Sequence, residues 1–167
     1  MVHIGSNDPR PLVATIDIDA TPEQVWRVIS DVRRTSEWSP ECRRVVARSP
    51  LRVGRFLLGL NRRKAIVWAT VSRITEFEAD RAISWVVLTN RSVWTYRVEP
   101  TDTGSRLTET RETPRGEGRF ALWFTRAFLG GQGAHDDELE GGMQAGLDVI
   151  RQAVERSEEH TSELQSP

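Results

Sequence analysis

The sequence predicts an α+β domain: a curved antiparallel sheet of about six to seven strands wrapped around a long C-terminal helix, with a short helix after the first strand. Three observations carry this. A cleanly alternating segment leads directly into a capped helix start near residue 21. The stretch from Cys42 to Thr113 then reads as consecutive strands with short connections. Finally, the segment from about Ala134 to Glu155 repeats apolar residues at helical spacing.

The first strand spans Leu12 to Ala20. Leu12, Ala14, Ile16 and Ile18 fall on one face, with Thr15, Asp17 and Asp19 on the other, as in a half-buried strand. Thr21 is a good N-cap, Pro22 suits the first helical position, and Gln24 completes a capping-box pattern. This helix should run to about Asp31, with Val25, Trp26, Ile29 and Val32 as its apolar stripe. An irregular piece follows through Trp38-Ser39-Pro40, where proline disfavours further helix.

The expected strands are Cys42–Arg48, Gly54–Asn61, Ala65–Phe77, Ala82–Thr89, Ser92–Glu99 and Ser105–Thr113. Turns are expected at Ser49-Pro50, Asn61-Arg62-Arg63, Glu78-Ala79-Asp80, Thr89-Asn90-Arg91 and from Pro100 to Gly104. Short connections between successive strands imply an antiparallel meander. Both faces carry bulky residues in places, so the sheet should pack on something and bend around it. After Pro114 a glycine-rich piece precedes an apolar segment, Phe120 to Leu129, read as a short helix ending at Gly130-Gly131. In the last helix Leu139, Met143, Leu147, Ile150 and Val154 form one face. Gly141, Gly142 and Gly146 lower its helix propensity but permit close approach to a sheet or ligand.

Composition limits the function classes. Hydrophobic residues at 38% and charged residues at 28% are the balance of an ordinary soluble domain, and 167 residues suffice for one core. No run approaches the roughly 18 apolar residues of a membrane span, so integral membrane association is not expected. A formal net charge of −1 gives no overall pull towards nucleic acid or an anionic membrane. The start, MVHIGSNDPRP, lacks a signal-peptide core, and the lone Cys42 excludes an internal disulfide, so a cytoplasmic protein is expected. Residues 1–10 read as an N-terminal extension and 11–155 as a single domain. Residues 156–167, RSEEHTSELQSP, are polar, break the apolar period and match the translation of a common sequencing-adapter oligonucleotide, so they read as a non-native tail.

The element order and several pieces resemble the START-like (SRPBCC) superfamily with its helix-grip fold. The pieces are the run Ile16 to Trp26, Trp38-Ser39-Pro40-Glu41, Thr75 to Ala79, and Trp94 to Pro100. Within that superfamily the chain is most similar to actinobacterial polyketide cyclase/dehydrase-like proteins, related to the plant pollen-allergen (Bet v 1-like) fold. The resemblance implies an internal cavity for a small apolar ligand; it does not specify a reaction.

Cofactor motifs are absent: Arg115-Gly116-Glu117-Gly118-Arg119 lacks the context of a phosphate loop and reads as a loop at the cavity mouth. His3 and His135 are far apart with no spaced ligand cluster, so no metal site is expected. Six tryptophans beside a single tyrosine are many for one domain. Trp68, Trp85, Trp94 and Trp123, with Tyr96, Arg97, Met143 and Leu147, are the candidate ligand-binding residues, although core filling is the plainer reading of any one tryptophan. Glu109, Arg111 and Tyr96 are the candidate catalytic residues. An arginine (Arg97 or Arg111) would polarise a carbonyl and Glu109 would serve as base; the plainer reading is Arg–Glu pairing on a solvated face. His135 is a candidate acid at the pocket entrance, Phe120 to Leu129 a candidate lid, and Cys42 a small buried side chain.

The favoured function is binding of a hydrophobic small molecule of lipid, polyketide or isoprenoid type by a monomer or weak homodimer. The alternative is a polyketide cyclase/dehydratase acting in the same cavity. A protein-interaction module is the third reading.

Overall fold

A computed structural model describes residues 10–113 and 132–165, with side chains in the second segment from Asp137 to Leu164. Its elements are β1 (Leu12–Ile18), α1 (Pro22–Ile29), a 3-10 turn (Val32–Glu37), β2 (Cys42–Ala47), β3 (Phe56–Arg63), β4 (Ile66–Glu78), β5 (Ala82–Val87), β6 (Val93–Thr101), β7 (Gly104–Glu112) and α2 (Gln132–Gln165). The seven strands form one antiparallel sheet in the order β1-β7-β6-β5-β4-β3-β2. The meander and the count of strands match the sequence reading.

Local chemistry explains the first elements. The Thr21 backbone N–H donates to Gln24 Oε1 at 2.7 Å and the Gln24 N–H to Thr21 Oγ1 at 3.3 Å, a complete capping box with Pro22 behind it. α1 ends at Ile29, earlier than Asp31, and Asp31 instead caps the 3-10 turn by accepting from the Arg33 N–H. The β3–β4 turn falls at Lys64-Ala65 and not at Asn61-Arg62-Arg63. Asn61 stays in the ladder opposite Trp68, its amide bonded to Thr70 Oγ1, while Lys64 takes the left-handed φ of 55° that the reversal needs. β3 likewise starts at Phe56, because Gly54 has a φ of 86° and belongs to the preceding turn.

The core gathers at one end of the sheet. α2 packs on β1 and α1, burying Leu139, Met143, Leu147, Ile150 and Val154. α1 contributes Val25, Trp26, Val28 and Ile29, and the Trp26 ring meets Phe77 edge-on at 5.2 Å. Beyond Val154 the helix continues through residues 156–165 without a buried apolar residue, so the break in periodicity read from the sequence is a change of burial and not the end of the helix.

Two glycines bring α2 close to the chain after the 3-10 turn. A Cβ on Gly146 would stand 2.7 Å from the Trp38 carbonyl oxygen, and one on Gly142 would stand 2.6 Å from Pro40 Cγ. Among the described residues, a Cβ on Gly141 would have nothing within 4 Å. Gly146→Ala should therefore destabilise by about 1–3 kcal/mol despite alanine's helix propensity, whereas Gly141→Ala should stabilise by up to about 1 kcal/mol. Urea denaturation checks both; equal effects at the two positions would refute the close-contact account.

Candidate functional site

Because α2 sits over β1, it leaves much of the concave face of the remaining strands uncovered, and a cavity of about 380 Å³ lies there. That volume falls in the range of small-molecule pockets, about 300–1,000 Å³. β3 and β4 supply Leu57, Asn61, Trp68 and Thr70 to its wall, and β5 and β6 supply Trp85, Val87, Trp94 and Tyr96. Trp38 and Met143 close it from the helix side.

Strand register places the polar groups. Tyr96 lies directly opposite Glu109 across β6 and β7, and Trp94 lies opposite Arg111. The Tyr96 hydroxyl donates to Glu109 Oε1 at 2.9 Å, and the Arg111 guanidinium stands 5.9 Å from the centre of the Trp94 ring. Glu109 and Arg111 are each only 6% exposed, which excludes the solvated-face reading for both. Burial pushes the Glu109 carboxyl up to about 7, with the Tyr96 hydrogen bond opposing the shift. Burial, reinforced by the neighbouring Glu109 charge, raises the Tyr96 phenol well above its ordinary range. Trp38 borders the same corner: among the described residues its buried indole N–H has no partner in good hydrogen-bond geometry, although it lies close enough to the Tyr96 hydroxyl to oppose part of that rise. Such a buried donor is costly unless something accepts from it.

A second charged group edges the cavity. Burial raises the Glu41 carboxyl to about 7, Arg63 and Arg111 pull it back, and Glu138 adds to the rise. Arg63, at the β3–β4 turn, donates through Nε to Glu138 Oε2 at 2.9 Å and so links that hairpin to α2. This cavity thus offers two carboxyls whose burial raises them to about 7, a phenol and an indole N–H with no well-placed acceptor among the described residues. The set can hold an oxygen-bearing apolar molecule, and it can exchange a proton with it.

Among the residues singled out from sequence, Trp68, Trp85, Trp94, Tyr96, Met143, Glu109 and Arg111 border the cavity, as does the buried thiol of Cys42. Arg97 does not. It points to the opposite face of β6, where it pairs with Glu76 at 3.4 Å, because residues two apart share a face and it alternates with Tyr96. Leu147 is fully buried in the helix–sheet core and does not reach the cavity. Trp123, the Phe120 to Leu129 segment and the Arg115 to Arg119 loop lie outside the described residues, as does the side chain of His135. Trp38 and Glu41 were not expected at the site. They sit in an irregular piece with no periodicity to assign a face, and only the isolated Trp-Ser-Pro-Glu motif marked them.

A sequence profile of the family described as "Polyketide cyclase / dehydrase and lipid transport" matches residues 11–155. Among solved structures, the chain is similar to a Polyketide_cyc-like protein from Corynebacterium glutamicum, at 27% identity over 91% of this chain and 96% of that one, with a TM-score of 0.59. It shares its fold with an aromatase/cyclase from Streptomyces sp. R1128, at 18% identity, 88% and 94% coverage and a TM-score of 0.66. It also shares its fold with a di-domain aromatase/cyclase of the steffimycin biosynthetic pathway, at 11% identity and a TM-score of 0.68, covering 88% of this chain and 51% of that one. No curated protein sequence matches the chain.

The raised Glu109 carboxyl makes the native state hold its proton more tightly than the unfolded chain does. The stability it contributes is complete below about 4.5 and is lost as pH rises through about 7. Glu109→Gln should remove that loss and exceed the parent in stability at about pH 8 by roughly 1–3 kcal/mol, with little difference at about pH 4. Tyr96→Phe, by deleting the opposing hydrogen bond, should move the window to higher pH. Parallel pH–stability curves for parent and Glu109→Gln would show that burial does not hold the proton on Glu109.

Proposed function

The chain belongs to the polyketide cyclase/dehydrase and lipid-transport family, and we propose that it binds a largely apolar small molecule carrying an oxygen function, of polyketide, isoprenoid or lipid type. The oxygen sits at the Trp38–Tyr96–Glu109 corner and the apolar body lies against Trp68, Trp85 and Trp94. The observation that carries this reading is a buried Tyr–Glu hydrogen-bonded pair, beside an indole N–H that has no well-placed acceptor among the described residues, in an aromatic-walled cavity of about 380 Å³. Aromatic walls supply contact area at low entropic cost, and a few fixed polar groups orient the ligand. A cytoplasmic protein acting as a monomer or weak homodimer suits this role.

One observation favours catalysis as a second reading. A carboxyl titrating near 7 is placed to take a proton from an activated carbon and return it to oxygen, as cyclisation and dehydration of a poly-β-ketone require. Arg111, on the same face two residues on, would stabilise a developing enolate.

Calorimetric titration with 2-naphthol and naphthalene tests the binding reading. The phenol should bind at least about tenfold more tightly than the hydrocarbon. Trp38→Phe should shrink that ratio while leaving naphthalene affinity nearly unchanged. Equal affinity for the two probes, or no binding of either, would overturn the proposal. With an aromatic poly-β-ketone as substrate, Glu109→Gln should cut turnover by about 10²–10⁴ at unchanged affinity if the cavity catalyses; unchanged product formation would assign any cyclisation to the ligand itself.

A further inference from the structure

The 34 residues from Cys42 to Thr75 contain nine Arg and Lys and no Asp or Glu, so a chain of formal net charge −1 carries +9 in this stretch alone. Eight of the nine are arginine. These residues build β2, β3 and β4. Side chains alternate along a strand, so the neighbours of the cavity-facing residues point outward. Phe56 (57% exposed), Leu58 (41%) and Leu60 (39%) of β3 share that outer face with Val67 (67%) and Val71 (42%) of β4 and Val46 (47%) of β2. In register with these stand the exposed guanidinium side chains of Arg44 opposite Leu60, Arg62 opposite Val67 and Arg73 opposite Phe56.

From this arrangement we infer that the outer face of β2–β4 is a docking surface for an anionic phospholipid membrane. An aliphatic centre with a rim of cations matches the headgroup boundary, where apolar side chains enter the acyl region and arginines meet phosphate. The guanidinium fork suits phosphate oxygens in a way a point charge does not. A second copy of the chain is a poor occupant, because a self-complementary contact would bring the same three guanidinium groups, those of Arg44, Arg62 and Arg73, against these. Nucleic acid would use the cations but leave the exposed valines and leucines unburied. The surface also adjoins the cavity: the β3–β4 turn that carries Arg63 to Glu138 on α2 forms one end of it. The inference does not depend on which molecule the cavity holds.

Co-sedimentation of the full chain with vesicles tests it. The protein should bind vesicles of phosphatidylcholine mixed with phosphatidylglycerol, bind pure phosphatidylcholine weakly, and be released by salt. The combined variant Arg44→Glu, Arg62→Glu, Arg73→Glu should weaken binding by at least about tenfold. Phe56→Ser with Leu58→Ser should remove the part of the binding that survives high salt. Because all five side chains are exposed or at the surface, melting curves should match the parent and exclude unfolding as the cause. Failure of the parent to bind the anionic vesicles at low salt would overturn the inference and leave an acidic protein surface as the occupant of this face. Binding that the charge-reversed variant retains would equally overturn it.

Discussion

The cavity depends on where α2 is held: against β1, α1 and the chain that follows the 3-10 turn. Gly142 and Gly146 let the helix approach Pro40 and the Trp38 backbone more closely than any side chain would allow. The apolar face from Leu139 to Val154 then buries itself against β1 and α1. Each such fully buried side chain is worth about 1.5–3 kcal/mol, enough for this end of the sheet to anchor the fold. The remaining strands bend away, with register irregularities between Cys42 and Arg44 and between Ile74 and Glu76. Among the described residues, their concave face has a helix on one side and none across the middle.

What lies in that middle works against stability. A carboxyl in a buried site costs free energy whenever it ionises, and a buried indole N–H with no well-placed acceptor among the described residues adds a smaller cost. Their presence, at a point where a ring-lined space opens, is the mark of a site kept for chemistry or recognition. The second raised carboxyl, Glu41, lies where Arg63, Arg111 and Glu138 also act, so the cavity combines an inner Tyr–Glu corner with a margin set among other charged groups. Such a division suits a ligand with one polar function and an otherwise apolar body.

Much of the fold was legible because each element obeys a local rule. The capping box at Thr21 and the alternation of β1 needed no tertiary information, and the structure has both. Which face of β6 and β7 looks inward was a different matter. Tyr96 and Arg97 sit on adjacent, equally alternating positions, and both strands carry Arg and Glu. Only the pairing with neighbouring strands and the position of α2 decide that Glu109 and Arg111 are buried while Arg97 meets Glu76 outside. Trp38 and Glu41 lie where the chain has no period at all, so no pattern could phase them. The charge asymmetry was present in the sequence throughout; averaging over the whole chain concealed it.

β3 and β4 carry two unrelated messages in alternate letters. Leu57, Gly59 and Asn61 line the cavity, and Phe56, Leu58 and Leu60 between them face outward with the arginines. Loss or gain of one residue within either strand would exchange the two sets, turning cations inward and the pocket wall outward. Length changes in this half of the molecule should therefore be tolerated best in its turns, such as Lys64-Ala65. Substitution, by contrast, can rewrite one message and leave the other intact. Descendants of this chain can change what the cavity accepts without changing what the outer face touches, provided that the reading frame of the strands is kept.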